Sequence, residues 1–138
     1  MEIRLNHRIC RSREEILNAS TPEVAAFLDE WFAPSDFVWG HTSGSTGNPK
    51  PVRLLKRDME ASARLTNDFF DITCRSVMLL CLSPDYIAGK MMIVRALLSG
   101  ADLLVVTPSS LPLTTIDEPI DFAAMVPAQV VESLKSTM

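Results

Sequence analysis

The sequence predicts an α/β fold with a mostly parallel sheet, and three observations carry that reading. Residues 77–82 (VMLLCL) are a continuous apolar run, 89–99 read as an apolar helix, and 103–106 (LLVV) are a second apolar run. Strand, helix and strand in about thirty residues make a βαβ unit with parallel pairing and a right-handed crossover. Ahead of it, residues 41–50 (HTSGSTGNPK) form a loop rich in glycine and hydroxyl residues between two strand-like segments. Residues 1–37 read as a helical N-terminal segment, and residues 38–138 as the α/β part.

Each element has a local reason. Ser12 followed by Glu15 is a capping-box pattern, so a short helix is expected there with Ile16 and Leu17 on its apolar side. Thr21 caps the next helix, Pro22 suits its first position, and Val24, Phe27, Leu28 and Trp31 form a core-facing stripe. Ala33-Pro34-Ser35-Asp36 ends it. Phe37-Val38-Trp39 and Val52-Arg53-Leu54-Leu55 make a hairpin-like pair with the loop at its tip. Asp58 is expected to cap a helix through about Phe70, with Met59, Ala63, Thr66 and Phe70 on one face. The runs at 77–82 and 103–106 suit strands buried on both faces, and Gly100 marks the end of the helix between them. Residues 122–126 read as a further strand, and Pro127 opens a last helix carrying Val130, Val131 and Leu134.

Composition narrows the function classes. The 138 residues are 47% hydrophobic and 22% charged, ordinary values for one globular domain. The 13 Lys and Arg are scattered and outnumbered by 17 Asp and Glu, so no nucleic-acid surface is expected. No run approaches the roughly 20 apolar residues of a membrane span, and the start lacks a signal peptide, which points to the cytoplasm. Cys10, Cys74 and Cys81 are odd in number and widely spaced, so they read as buried small apolar residues rather than disulfides or a zinc site.

The chemistry concentrates in the loop. Its glycines let backbone amides approach an anion, Thr42, Ser43, Ser45 and Thr46 add neutral donors, and Lys50 adds a positive charge, a composition suited to a polyphosphate. It is not the Walker loop, which needs glycine before the lysine and Ser or Thr after it, because Lys50 lies between Pro49 and Pro51. Proline on both sides favours extended backbone over a helix start. His41, at the strand end, reads as a hydrogen-bonded structural residue or a neighbour of the phosphate. Lys90 and Arg95 read as solvated charges, the alternative being contact with an anionic substrate.

Residues Thr42-Ser43-Gly44-Ser45-Thr46-Gly47-Asn48-Pro49-Lys50 resemble the phosphate-binding signature of the adenylate-forming superfamily. That superfamily contains acyl-CoA synthetases, luciferases and the adenylation domains of peptide synthetases. Ser83-Pro84-Asp85-Tyr86-Ile87-Ala88-Gly89, the stretch 97–106 and Val126-Pro127-Ala128-Gln129 extend the similarity over about residues 37–134. The VPAQ and IVRALLSGA wording most resembles the o-succinylbenzoate-CoA ligase branch, of the menaquinone pathway. The chain departs from the family at His41, where many members have an aromatic residue or Thr, and at Pro51, where they have Gly. Tyr86 stands where the acyl-CoA ligase branch often has a histidine lining the acyl site.

The resemblance implies that Thr42, Ser43, Gly44, Ser45, Thr46, Gly47 and Lys50 hold the β- and γ-phosphates of ATP and that Tyr86 contacts the acid. It implies ATP, Mg²⁺ and CoA for the full-length enzyme, acting on small-molecule substrates. The ribose-binding acid, the magnesium-binding glutamate and the adenylation lysine of the family have no counterpart in these residues, so no catalytic residue and no metal ligand is assigned. The chain is expected to be an incomplete N-terminal subdomain of an adenylate-forming enzyme, inactive alone and self-associating through uncovered apolar surface. A nucleotide-binding module without ligase activity, or a ligase for another acid, stays open.

Overall fold

The computed structural model describes residues 1–41, 48 and 50–137. Two short strands, β1 (Ile3–Leu5) and β2 (Arg8–Cys10), precede helices α1 (Arg13–Ala19) and α2 (Pro22–Phe32). The antiparallel strands β3 (Phe37–His41) and β4 (Pro51–Leu55) form a two-stranded sheet of their own. Then follow α3 (Lys56–Phe69), β5 (Val77–Leu80), α4 (Ile87–Ser99), β6 (Asp102–Val105), β7 (Phe122–Ala123) and α5 (Pro127–Thr137). The larger sheet has the order β2-β1-β6-β5-β7 and is parallel except where β1 meets β2. The α/β class and the βαβ unit of β5, α4 and β6 stand as the sequence predicts.

The apolar run at the start of β5 becomes a central strand because both faces of the sheet are covered. Met78 and Leu80 join the main core with Ile16 of α1, Val24 and Phe27 of α2, Met59 and Ala63 of α3, and Met92 of α4. Leu79 and Cys81 face the other way, against Leu104, Ile116, Ile120 and Met125. A strand buried on both faces has no polar alternation to show. Helix α4 is buried over six consecutive residues, Gly89 to Val94, because sheet and helices enclose it. It stops at Gly100, whose φ of 76° closes the last turn with an N–H donated to the Ala96 carbonyl at 2.9 Å.

The structure corrects four expectations. Strands β1 and β2 lie where only helices were expected, and they belong to the main sheet through β6. Helix α3 starts at Lys56 rather than at Asp58, and no side chain caps it. The chain holds that end instead, since Lys56 N–H donates to Asp36 O at 2.9 Å and its ammonium donates to Ala33 O and Ser35 O. The buried face of α3 is Met59, Ala63 and Asn67, while Leu65, Phe69 and Phe70 are exposed. Among the cysteines, Cys10 and Cys81 are buried as expected, but Cys74 is exposed.

The unanticipated hairpin is held by its turn. Asn6 and His7 have φ of 48° and 71°, the positive values of a two-residue turn matched to strand twist. Asn6 donates through Nδ2 to Ala19 O at 2.7 Å and accepts through Oδ1 from Val105 N–H at 3.0 Å. His7 N–H donates to Asp102 Oδ1 at 2.9 Å, and its ring bridges Asp102 and Glu118 at 2.5 and 3.0 Å. Asn6→Ala removes both side-chain bonds and places an alanine in the left-handed region. The expected loss is roughly 2–4 kcal/mol in urea unfolding, and a loss under about 1 kcal/mol would mean that the turn contributes little to stability.

Candidate functional site

Strand order locates the site before any side chain is considered. The chain leaves β5 through α4 to β6 on one side, then crosses back to β7 on the other side of β5. Open α/β sheets bind ligands beyond the carboxyl ends of the strands at such a reversal. A cavity of about 820 Å³ lies there, walled by Cys81, Leu82 and Ser83 after β5, Pro108 to Ser110 after β6, and Val126, Ala128 and Gln129 after β7. Tyr86, Ile87 and Ala88 close one side, and His41 at the end of β3 closes another.

The walls are largely apolar, and no lining residue among those described is Lys, Arg, Asp or Glu. The first turns of α4 and α5 both form part of the wall. Helix α4 has no side-chain cap, so its leading N–H groups and the dipole favour an anion at this end. An apolar chamber with such an end suits an apolar acid whose carboxylate meets backbone donors.

Local sequence explains how Tyr86 arrives there. Asp85 N–H donates to Ser83 Oγ at 3.1 Å and Tyr86 N–H donates to Ser83 O at 3.2 Å, a tight turn that delivers Tyr86 to the N-cap of α4. Its side chain is half exposed, at the cavity. Gly89, one turn along, lets the helix press against that turn, since a Cβ there would sit 2.1 Å from Ser83 O. Cys81 is fully buried in the cavity floor and its thiol donates to Ala124 O at 3.3 Å. Burial pushes that thiol's pKa up, which keeps it protonated and unreactive.

Of the residues singled out in the sequence, His41 and Tyr86 come together at the cavity. Lys50 is exposed immediately before β4, whose Pro51 pairs with His41. Thr42, Ser43, Gly44, Ser45, Thr46 and Gly47 lie outside the described residues. Lys90 and Arg95 are not the solvated charges expected. Lys90 is 7% exposed and sits 5.0 Å from the Phe27 ring, away from the cavity, and burial lowers its pKa. Arg95 is half-buried beside Phe122, with its pKa likewise lowered by burial.

Sequence reasoning passed over the role of Gln129. Its Nε2 donates to Cys81 O at 3.0 Å and to Ser109 O at 2.9 Å, and its Oε1 accepts from Val126 N–H at 3.1 Å. The signal was present, because a Gln two places after an N1 proline is the residue that reaches back to the N-cap in a capping box.

The model of the family described as "AMP-binding enzyme" matches residues 6–137. The chain belongs to the AMP-binding enzyme family. It is similar to the crystal structure of an acyl-CoA synthetase (AMP-forming)/AMP-acid ligase II-like protein from Dyadobacter fermentans, at 35% identity and a TM-score of 0.74. That match covers 87% of this chain and 35% of the other. The fold is also similar to o-succinylbenzoate coenzyme A synthetase from Bacillus subtilis in complex with AMP, at 22% identity and a TM-score of 0.63, covering 72% of this chain and 27% of that one. A putative long-chain-fatty-acid CoA ligase from Rhodopseudomonas palustris shares the fold at 14% identity and a TM-score of 0.58, with 71% and 25% covered. No curated protein matches the chain. The chain thus spans about a third or less of the length of these solved structures.

Proposed function

We propose that the chain is the N-terminal part of an ATP-dependent acid–CoA ligase acting on o-succinylbenzoate. The observation that carries this reading is the apolar cavity at the strand reversal, bounded by His41, from which the chain enters the phosphate-loop sequence. In the first step a carboxylate oxygen attacks the α-phosphorus of ATP, and the bond to the bridging oxygen breaks to release pyrophosphate. In the second, the CoA sulfur attacks the acyl carbonyl and AMP leaves. Ser43, Gly44, Ser45, Thr46, Gly47 and Lys50, with Thr42, hold the β- and γ-phosphates and balance charge on the departing pyrophosphate. Tyr86 contacts the acid across the cavity. Among the described residues no group of three or more His, Cys, Asp or Glu is placed to hold a metal ion.

The wording of the VPAQ and IVRALLSGA segments and an apolar chamber fit for an aromatic ring support o-succinylbenzoate. A second reading is favoured by the lack of a cation among the described lining residues, which suits a monocarboxylic acid better than a dicarboxylate. The product of the whole gene, incubated with ATP, Mg²⁺ and CoA, tests both. Thioester and AMP with o-succinylbenzoate support the first reading, and turnover of benzoate or a fatty acid instead supports the second. No AMP with any acid would discard both in favour of a nucleotide-binding module. The same proposal has the 138-residue chain alone inactive and self-associating through exposed Leu65, Phe69 and Phe70.

No helix among the described residues is long and apolar enough to cross a membrane.

A further inference from the structure

The three walls of the cavity that follow β5, β6 and β7 come from separate, irregular segments, and one side chain joins them all. Gln129 is 4% exposed and spends both amide hydrogens on carbonyls of the first two walls, Cys81 O and Ser109 O. Its oxygen takes the Val126 N–H of the third. Among the described residues, the other hydrogen bond of Ser109 stays within its own segment, where its hydroxyl accepts from Leu111 N–H. The segments leaving β5 and β6 are joined by the Val106 N–H to Leu80 O bond, and beyond it Gln129 ties the wall at Ser109 to the wall at Cys81.

We propose that Gln129 is a positioning residue that sets the width of the acid cavity and with it the selectivity among acids. This rests on the ligase reading above. The side chain takes no part in bond making. It keeps Ser109 and Ser110 at a fixed distance from Cys81 and Ser83, so that a ring or chain fills the space between apolar surfaces. Replacing it with Met or Glu keeps nearly the same size but removes both donors, leaving the two carbonyls without partners. The walls then separate or admit water, and a bulky acid loses its close fit while ATP, held by the phosphate loop, does not.

The test uses the product of the whole gene and compares the wild type with Gln129→Met and Gln129→Glu. Kinetic constants are measured for ATP, for the preferred acid and for acetate. The expected result in both variants is a KM for the preferred acid raised tenfold or more, with the KM for ATP and kcat within about threefold of wild type. The preference over acetate falls by a similar factor. Gln129→Asn, which keeps the amide one methylene short, is read in the same way if the larger changes prevent folding. An unchanged preference over acetate in a folded variant overturns the assignment, as does an equal loss on every substrate, which a purely structural role would give. Wild-type protein that releases no AMP with any acid overturns the ligase reading and this inference together. Wild-type AMP release with unaltered selectivity in the variants overturns this inference alone.

Discussion

Gly89→Ala is expected to lower stability and, in the proposed ligase, affinity for the acid, although alanine is the better helix former. Glycine to alanine within a helix is favoured by about 1 kcal/mol from propensity alone. Against that, the new Cβ would stand 2.1 Å from Ser83 O, 2.6 Å from Ser83 C and 3.0 Å from Pro84 N. All three are backbone atoms, so no side chain can swing aside. The turn that carries them cannot yield easily either, because Ser83 O accepts the Tyr86 N–H and Pro84 is buried with its φ fixed by the ring. Overpacking costs about 1–3 kcal/mol, and contact with three backbone atoms puts this case at the top of that range, so the net loss after the propensity gain is roughly 2 kcal/mol. The shift falls on Ser83, which walls the cavity, so in the proposed ligase the KM for the acid rises with the fall in melting temperature. Scanning calorimetry with Ala88→Ser as the exposed neighbour gives the comparison. A Gly89→Ala protein that melts at or above the wild type would show that the turn moves freely.

The parts of the fold that the sequence made legible are those whose pattern is long or chemically specific. Ser12 and Glu15 cap α1 as read, with Ser12 Oγ accepting Glu15 N–H at 3.2 Å, although the Glu15 carboxylate reaches back to Arg11 N–H rather than to Ser12 N–H. Thr21 caps α2 in the same way, and the strand–helix–strand unit follows from runs too apolar to face water. Strands β1 and β2 escaped because each is three residues long, too short for alternation to register, and their Asn6-His7 turn lacks the glycine that usually marks a hairpin. Lys90 was misread because a charged residue on a helix is assumed to mark a solvated face, whereas α4 has almost none. The Phe27 ring and the nearby carboxylates of Glu30 and Asp85 make its burial tolerable. At the candidate site, Tyr86 lies on the cavity wall, and the Gln129 bond to Val126 fits a local capping box, but its bonds 20 and 48 residues away are displayed by no local pattern.

In the proposed ligase, Lys50→Ala is expected to reduce the rate of acyl-adenylate formation by roughly 10²–10³, the effect of removing one preorganised group from developing charge. Pro51, which follows Lys50, pairs with His41, and His41 lines the cavity. The ligase reading assigns the Lys50 cation to the departing pyrophosphate. As the bond to the α-phosphorus breaks, negative charge grows on the leaving oxygen, and an ammonium already in place opposes that charge without reorganising. The acid is held by the apolar walls, so its KM should change little. Lys50→Arg keeps the charge on a planar, differently shaped group and is expected to recover part of the rate. Acid-dependent exchange of pyrophosphate into ATP isolates this step from thioester formation. A kcat for exchange within threefold of wild type in Lys50→Ala would remove the residue from the transition state. A rise in the KM for ATP with kcat intact would assign it to nucleotide binding, because an interaction equally strong in ground and transition states changes KM alone.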